Sequence, residues 1–188
     1  TQQVVVQMSL LTRFKDFVSK KYRVKKPIKL YHGAHKAQKS LSLPATYSKA
    51  RAADGHAVYL STSKDEAGTY GKNLHHVEFH THKDHLIDLD RPIHEQSAHV
   101  KGVIKKLTNN NVDKDPWEKQ PIGLSFVQHV TKHITKDPIK TTKLLYSHGI
   151  HGGFGSSYSP KSKRSDSTVY SVYNPKKHLA VTKVDSNE

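Results

Sequence analysis

Val58-Tyr59-Leu60-Ser61-Thr62-Ser63-Lys64-Asp65-Glu66-Ala67-Gly68-Thr69-Tyr70-Gly71 is the stretch from which the rest of this chain can be read. Ala57–Leu60 is apolar and ends on three hydroxyl residues, which predicts a short strand running into a helix N-cap. Lys64–Tyr70 then reads as a short helix. Tyr59 and Tyr70 stand eleven positions apart, one on the strand and one on the helix that follows.

Upstream, Lys25-Lys26-Pro27 interrupts the chain, and Ile28–Tyr31 reads as a strand running into His32-Gly33. Further back, Val4, Met8, Leu11 and Val18 recur at helical spacing, so residues 4–22 are expected to form an amphipathic helix. Downstream, His76–Phe79 and Leu86–Leu89 read as strands, and Glu95–Leu107 and Ile122–Ile134 as helices. Pro138 opens a third helix and Gly149 stops it. Ile150–Phe154, Val169–Tyr173 and Leu179–Val184 complete the strands. No repeat or composition break divides the chain. The expectation is one α+β domain over 1–188, with residues 1–24 as its N-terminal helix.

Around the opening stretch the chain resembles the diphtheria-toxin and poly-ADP-ribose-polymerase branch of the ADP-ribosyltransferase superfamily. Leu30-Tyr31-His32-Gly33-Ala34 matches the branch's Tyr-His-Gly strand, and Tyr59-Leu60-Ser61-Thr62 with Tyr70 matches its paired tyrosines. Leu144–Phe154 and Thr168–Pro175 are similar to a helix-turn-strand and a late strand of bacterial and phage members. The resemblance implies two small packed mixed sheets around an NAD cleft, with helices at the periphery. By it, His32 hydrogen-bonds the nicotinamide ribose and Gly33 backbone groups hold the carboxamide. Tyr59 and Tyr70 bracket the nicotinamide, and Ser61 joins the cofactor-contacting set. The chemistry is sound apart from the family, because a cationic aromatic ring is held by tyrosine faces through stacking and cation–π attraction. Ser61-Thr62-Ser63 also resembles the arginine-specific branch, but that branch carries Arg where this chain has His32.

The same alignment places Val169 where the family carries its catalytic Glu. Three outcomes stay open. The chain transfers a single ADP-ribose with an acid supplied by its target; Asp166 supplies the acid, beside His32 and Tyr70 as catalytic groups; or the domain binds NAD without turnover. An NAD-dependent RNA 2′-phosphotransferase is the alternative reaction. It shares the fold and lacks the Glu, yet normally needs several arginines, and only Arg51 and Arg91 lie near these motifs.

Composition narrows the partners. Thirty-one Lys+Arg against 16 Asp+Glu give a net charge of +15, a field that favours an acidic protein or nucleic acid. Ser156–Ser167 carries Lys161, Lys163 and Arg164 and is expected to recognise that target. With no cysteine there is no disulfide, no thiolate zinc site and no cysteine nucleophile. Of 15 histidines, His129 and His133 stand four apart on a predicted helix, and His80 and His82 are expected on one strand face. No H-E-x-x-H accompanies them, and surface histidines rather than a metal site are expected. No apolar run approaches the roughly 18 residues that cross a bilayer, so a soluble protein, monomeric by default, is expected. The chain opens on Thr1 rather than Met, and loss of a leader or other preceding residues is expected. Basic charge and the transferase resemblance would suit a protein packaged with DNA in a virion and delivered to a host cytoplasm.

Overall fold

Alternation of apolar and polar side chains turns short runs into half-buried strands, and here it decides where the sheet runs. The computed structural model describes residues 26–44, 56–109, 122–156 and 167–186. Strand β1 (Ile28–Ala34) is followed by β2 (Val58–Ser61) and helix α1 (Lys64–Gly68). Next come β3 (Asn73–Phe79), β4 (Leu86–Asp88) and α2 (Ala98–Leu107). Helix α3 (Gly123–His129) runs on into a π-helical turn, Val130–Thr135, and α4 (Pro138–Ser147) follows. The chain closes with β5 (Gly152–Ser156), β6 (Thr168–Val172), α5 (Pro175–His178) and β7 (Leu179–Ser186). Each predicted strand and helix within the described residues is found, with ends moved by one to three residues. The expected helix over residues 4–22 lies outside them.

The seven strands of the described residues form one mixed sheet in the order β4-β5-β6-β2-β1-β3-β7. β4 and β5 are parallel; every other neighbouring pair is antiparallel. Two separate sheets were expected; the strands instead form one, joined through β1 and β2. β1 and β3 pair over seven residues, but β1 and β2 share a single register pair, Tyr31 with Ser61. The sheet also bends at this seam. On a flat sheet β6 and β3 would lie about 14 Å apart, yet the rings of Phe79 and Tyr170 are 6.3 Å apart. The two halves therefore fold toward each other over a core of Leu30, Val58, Leu60, Val77, Phe79 and Val172.

A second core lies on the opposite face of β2, β4 and β6. Ile87, Val100, Ile104, Phe126, Val127, Leu145 and Tyr173 pack there beneath α2, α3 and α4. The apolar stripes of those helices, spaced three or four residues apart, are what the sheet face covers. Two of the three helix starts are chemically marked: Ser97 caps α2, and Asp137 caps α4 ahead of Pro138, whereas Ile122 gives α3 no side-chain cap. The π turn ends at Lys136 in the left-handed region, φ 56°, which stops the helix one residue before that cap. β3 ends at Phe79, so His80 and His82 do not share a strand face as expected; His82 instead caps a 3₁₀ turn, Lys83–His85. Among the described residues, no helix is long and apolar enough to cross a membrane.

Candidate functional site

The seam is where the sequence-selected residues meet. Beyond Tyr31–Ser61 the β1/β2 ladder stops, and the His32 ring takes its place: Nδ1 donates to the Tyr59 carbonyl at 2.9 Å. That bond fixes the tautomer, because a carbonyl only accepts. Burial holds the His32 pKa below its usual value of 6.5; the Tyr59 carbonyl opposes this, and neighbouring His75 adds to it. His32 is thus neutral near pH 7, and Nε2 carries a lone pair suited to accept from a hydroxyl.

His75, fully buried on β3, backs this arrangement. Its Nδ1 donates to the His32 carbonyl at 3.1 Å, and its Nε2 accepts from the Gln38 amide at 2.9 Å. With both nitrogens assigned, it holds one orientation and fixes the β1 backbone at His32.

Gly33 has a packing role that the sequence did not disclose. A Cβ at Gly33 would lie 1.8 Å from the Ala67 carbonyl oxygen, and one at Gly71 would lie 2.2 Å from the Ala34 carbonyl carbon. Only glycines let the end of α1 press directly on β1. This contact brings the turn bearing Tyr70 against Gly33. Tyr59 stands on β2 two residues before Ser61, and its carbonyl is the one bonded by His32. Tyr59 is half-buried, while Tyr70 is 57% exposed, unusual for a large aromatic. The Tyr59 ring packs against the helical core, and the turn bearing Tyr70 closes on Gly33 through its backbone.

Ser61 is buried and does something else. Its hydroxyl donates to Glu66 Oε2 at 2.5 Å, and the Ser167 hydroxyl donates to the same oxygen at 2.6 Å. These are lengths of charge-assisted O–H···O⁻ bonds. Glu66 is itself buried, although it belongs to a surface helix of five residues. Its place in Ser63-x-x-Glu66 reads as a capping box, in which the Glu reaches back to the Ser63 amide. Half of that box forms, with Ser63 Oγ accepting from the Glu66 amide at 3.3 Å. The Ser63 amide instead donates to Ser61 Oγ at 2.9 Å, and the carboxylate turns inward. Sequence reasoning missed Glu66, Ser167 and His75, and the capping signature gave Glu66 an ordinary reason to be there.

Val169 lies on β6 directly opposite Ser61 on one side and Gly155 on the other. Its side chain therefore shares a sheet face with Ser61, beside the Glu66 carboxylate. Asp166, Lys161, Lys163 and Arg164 lie outside the described residues. Arg91 is engaged elsewhere, with Asp88 at 3.3 Å and Glu95 at 3.7 Å.

A second polar cluster sits where the loops ahead of β4, β5 and β7 converge. His85 and His151 stack at 4.7 Å, His85 meets His99 at 4.5 Å, and His151 meets His178 at 4.2 Å. His85 Nδ1 and His99 Nε2 both donate to the Gly149 carbonyl. His178 Nδ1 donates to the His80 carbonyl, leaving Nε2 to accept from the Tyr146 hydroxyl. His151 is lowered to about 4, first by burial and then by His178, His85, Lys177 and His99. His129 and His133 pair separately, their rings 4.8 Å apart. Among the described residues, no group of three or more His, Asp or Glu side chains is arranged to hold a metal ion.

No protein-family model matches the sequence. No curated protein matches it either. Among solved structures, the chain is similar to one titled "Crystal structure of an anti-CRISPR protein". The two share 11% identity and a TM-score of 0.43, over 87% of this chain and 97% of that one. An overlap this loose carries neither fold nor function across.

Proposed function

We propose that the protein is an NAD-dependent mono-ADP-ribosyltransferase of the ADP-ribosyltransferase fold, with its nicotinamide site at the β1/β2 seam. The observation that carries the reading is the convergence there of His32, Gly33, Tyr59 and Tyr70. A neutral imidazole tied to one strand by Nδ1 offers Nε2 to a ribose hydroxyl. Tyr70, exposed on the turn that closes on Gly33, and Tyr59, half-buried with its carbonyl bonded to His32, are the aromatic groups this reading assigns to a flat cationic ring. The target is an acidic protein or a nucleic acid, to which a net charge of +15 would be drawn. Virion packaging with DNA and delivery to a host cytoplasm would suit the same charge. The RNA 2′-phosphotransferase reading draws no support from Arg91, which pairs with Asp88 and Glu95 on the β4 side of the sheet; Arg51 lies outside the described residues.

Binding is tested by thermal melting with and without NAD⁺. A ligand at a hundredfold its Kd adds about 2.7 kcal/mol of stability, a rise in Tm of about 5–10 °C for a chain this size. Tyr70→Ala should erase that rise while leaving the unliganded melt unchanged, since the side chain is exposed. No rise at millimolar NAD⁺ in the native protein would remove the reading.

A further inference from the structure

The seam carries one group that the reading above does not use. Glu66 is buried, its Oε2 is held by two hydroxyls at 2.5 and 2.6 Å, and those hydroxyls come from different strands' ends. Ser61 ends β2 and Ser167 leads into β6, while Glu66 itself stands on α1. Burying a carboxylate costs several kcal/mol unless it is well bonded. A packed apolar residue would tie α1 to the sheet without that cost. The position of the charge is informative too. Val169 is the register partner of Ser61 and offers no carboxylate of its own, while the Glu66 carboxylate, from the neighbouring helix, is bonded to that same Ser61.

We propose that Glu66 is an electrostatic positioning residue of this site, supplying beside Val169 the negative charge that stabilises positive charge developing on the substrate's ribose. The inference rests on the NAD-binding reading. In the step concerned, the bond between ribose C1′ and the nicotinamide nitrogen breaks. Its electron pair leaves with nicotinamide, which becomes neutral, and positive charge passes to C1′ and the ring oxygen. A water oxygen, or an acceptor atom of the target, then bonds to C1′ and its surplus proton goes to solvent. Glu66 makes and breaks no bond; its charge acts more strongly on the transition state than on bound NAD⁺, which carries less charge on the ribose. Ser61 and Ser167 hold it in place, so no reorganisation is needed as charge develops.

Glu66→Gln is the test, because an amide oxygen still accepts from both hydroxyls while the charge is lost. Three quantities are read on the full chain: Tm, NAD⁺ affinity by titration, and nicotinamide release at saturating NAD⁺. The expected result is a native-like melt, affinity within about twofold, and release slowed roughly 10- to 100-fold. Should Glu66→Gln fail to fold, Ser167→Ala decides: it keeps the charge, removes one hydroxyl, and should slow release severalfold at unchanged affinity. Equal rates in native and variant protein overturn the proposal. So does a loss of affinity matching the loss of rate, which would make Glu66 a packing residue. NAD⁺ binding with no release by either protein overturns it while leaving the NAD site standing. Absence of NAD⁺ binding in the native protein removes the site itself, and the proposal with it.

Discussion

At the β1/β2 seam the two halves of the sheet share one register pair and one imidazole; at the histidine cluster they share almost nothing but imidazoles. His32 at the seam has a single assigned hydrogen, donated to the Tyr59 carbonyl. His75 behind it has both nitrogens assigned. In the cluster, His151 of the β5 side meets Thr81 and His178 of the β3 side, and ring lies against ring. The same residue type therefore does two jobs. Bonded to backbone groups, it fixes a strand in one geometry. Stacked against its own kind, it joins two surfaces only while it stays neutral, since each proton added there meets several neighbours able to carry another.

The contrast is broken most severely at the seam. Gly33→Ala should cost about 3 kcal/mol or more, because its Cβ would lie inside contact distance of the Ala67 backbone, which cannot swing away as a side chain does. Calorimetry should show a Tm lower by roughly 6–12 °C. A native melt would mean that α1 does not press on β1 as described.

Val169→Glu sharpens the comparison by adding charge at the seam. Alone, it places a second carboxylate beside Glu66, where the two repel and one tends to take up a proton. In the Glu66→Gln background the new carboxylate stands by itself. Nicotinamide release should therefore rise about tenfold when Val169→Glu is made in the native chain, and about a hundredfold when it is made in the Glu66→Gln variant. NAD⁺ affinity should barely change in either. Equal gains in the two backgrounds would show that positions 66 and 169 do not share a site.

The histidine cluster should respond to acid, by a smaller amount. Unfolded, His151 takes up a proton near its ordinary value of 6.5; folded, it does so only near pH 4. Between those values the unfolded chain binds more protons, so stability is full above about pH 6.5 and falls as the pH drops toward 4. His178 is lowered as well, chiefly by burial, and adds to the same slope. Both side chains are partly exposed, and the loss due to His151 should be on the order of 1–2 kcal/mol. Melting from pH 7.5 to 4.5 should show it, and His151→Gln should flatten the curve. A slope unchanged by that substitution would place the acid sensitivity elsewhere.

Much of this architecture was legible because it is local. Asn73–Phe79 alternates in burial at every residue, and Asp137-Pro138 announces α4 with a cap and a preset φ. Tyr59 and Tyr70 were singled out by their spacing across one strand-to-helix turn and by the family pattern that this spacing resembles. What stayed hidden depends on pairing between distant segments. The seam is a ladder that stops, and no residue type encodes a missing partner. Glu66 was masked by a capping signature that explains it without burial. The histidine cluster gathers residues 85, 99, 151 and 178 from four separate loops and helices, so no short motif contains it. The π turn begins at Val130, where Phe126 and Val130 still fit ordinary helical spacing, and nothing in the pattern marks the change.

The strand order also governs when folding can finish. β2 finds its long partner in β6 and β3 finds its own in β7, so Asn73 pairs with Ser186 across most of the chain. Such distant closures carry a large loop entropy and slow the approach to the native state. On a ribosome, β1, β2 and β3 would emerge early yet leave two strand edges open until residues 168–186 follow. Until then β3, with Val77 and Phe79 on one face, is an unpaired edge of the kind that associates with other chains. Newly made protein should depend on chaperones for as long as β7 is absent, and chains ending before Leu179 should be lost to aggregation.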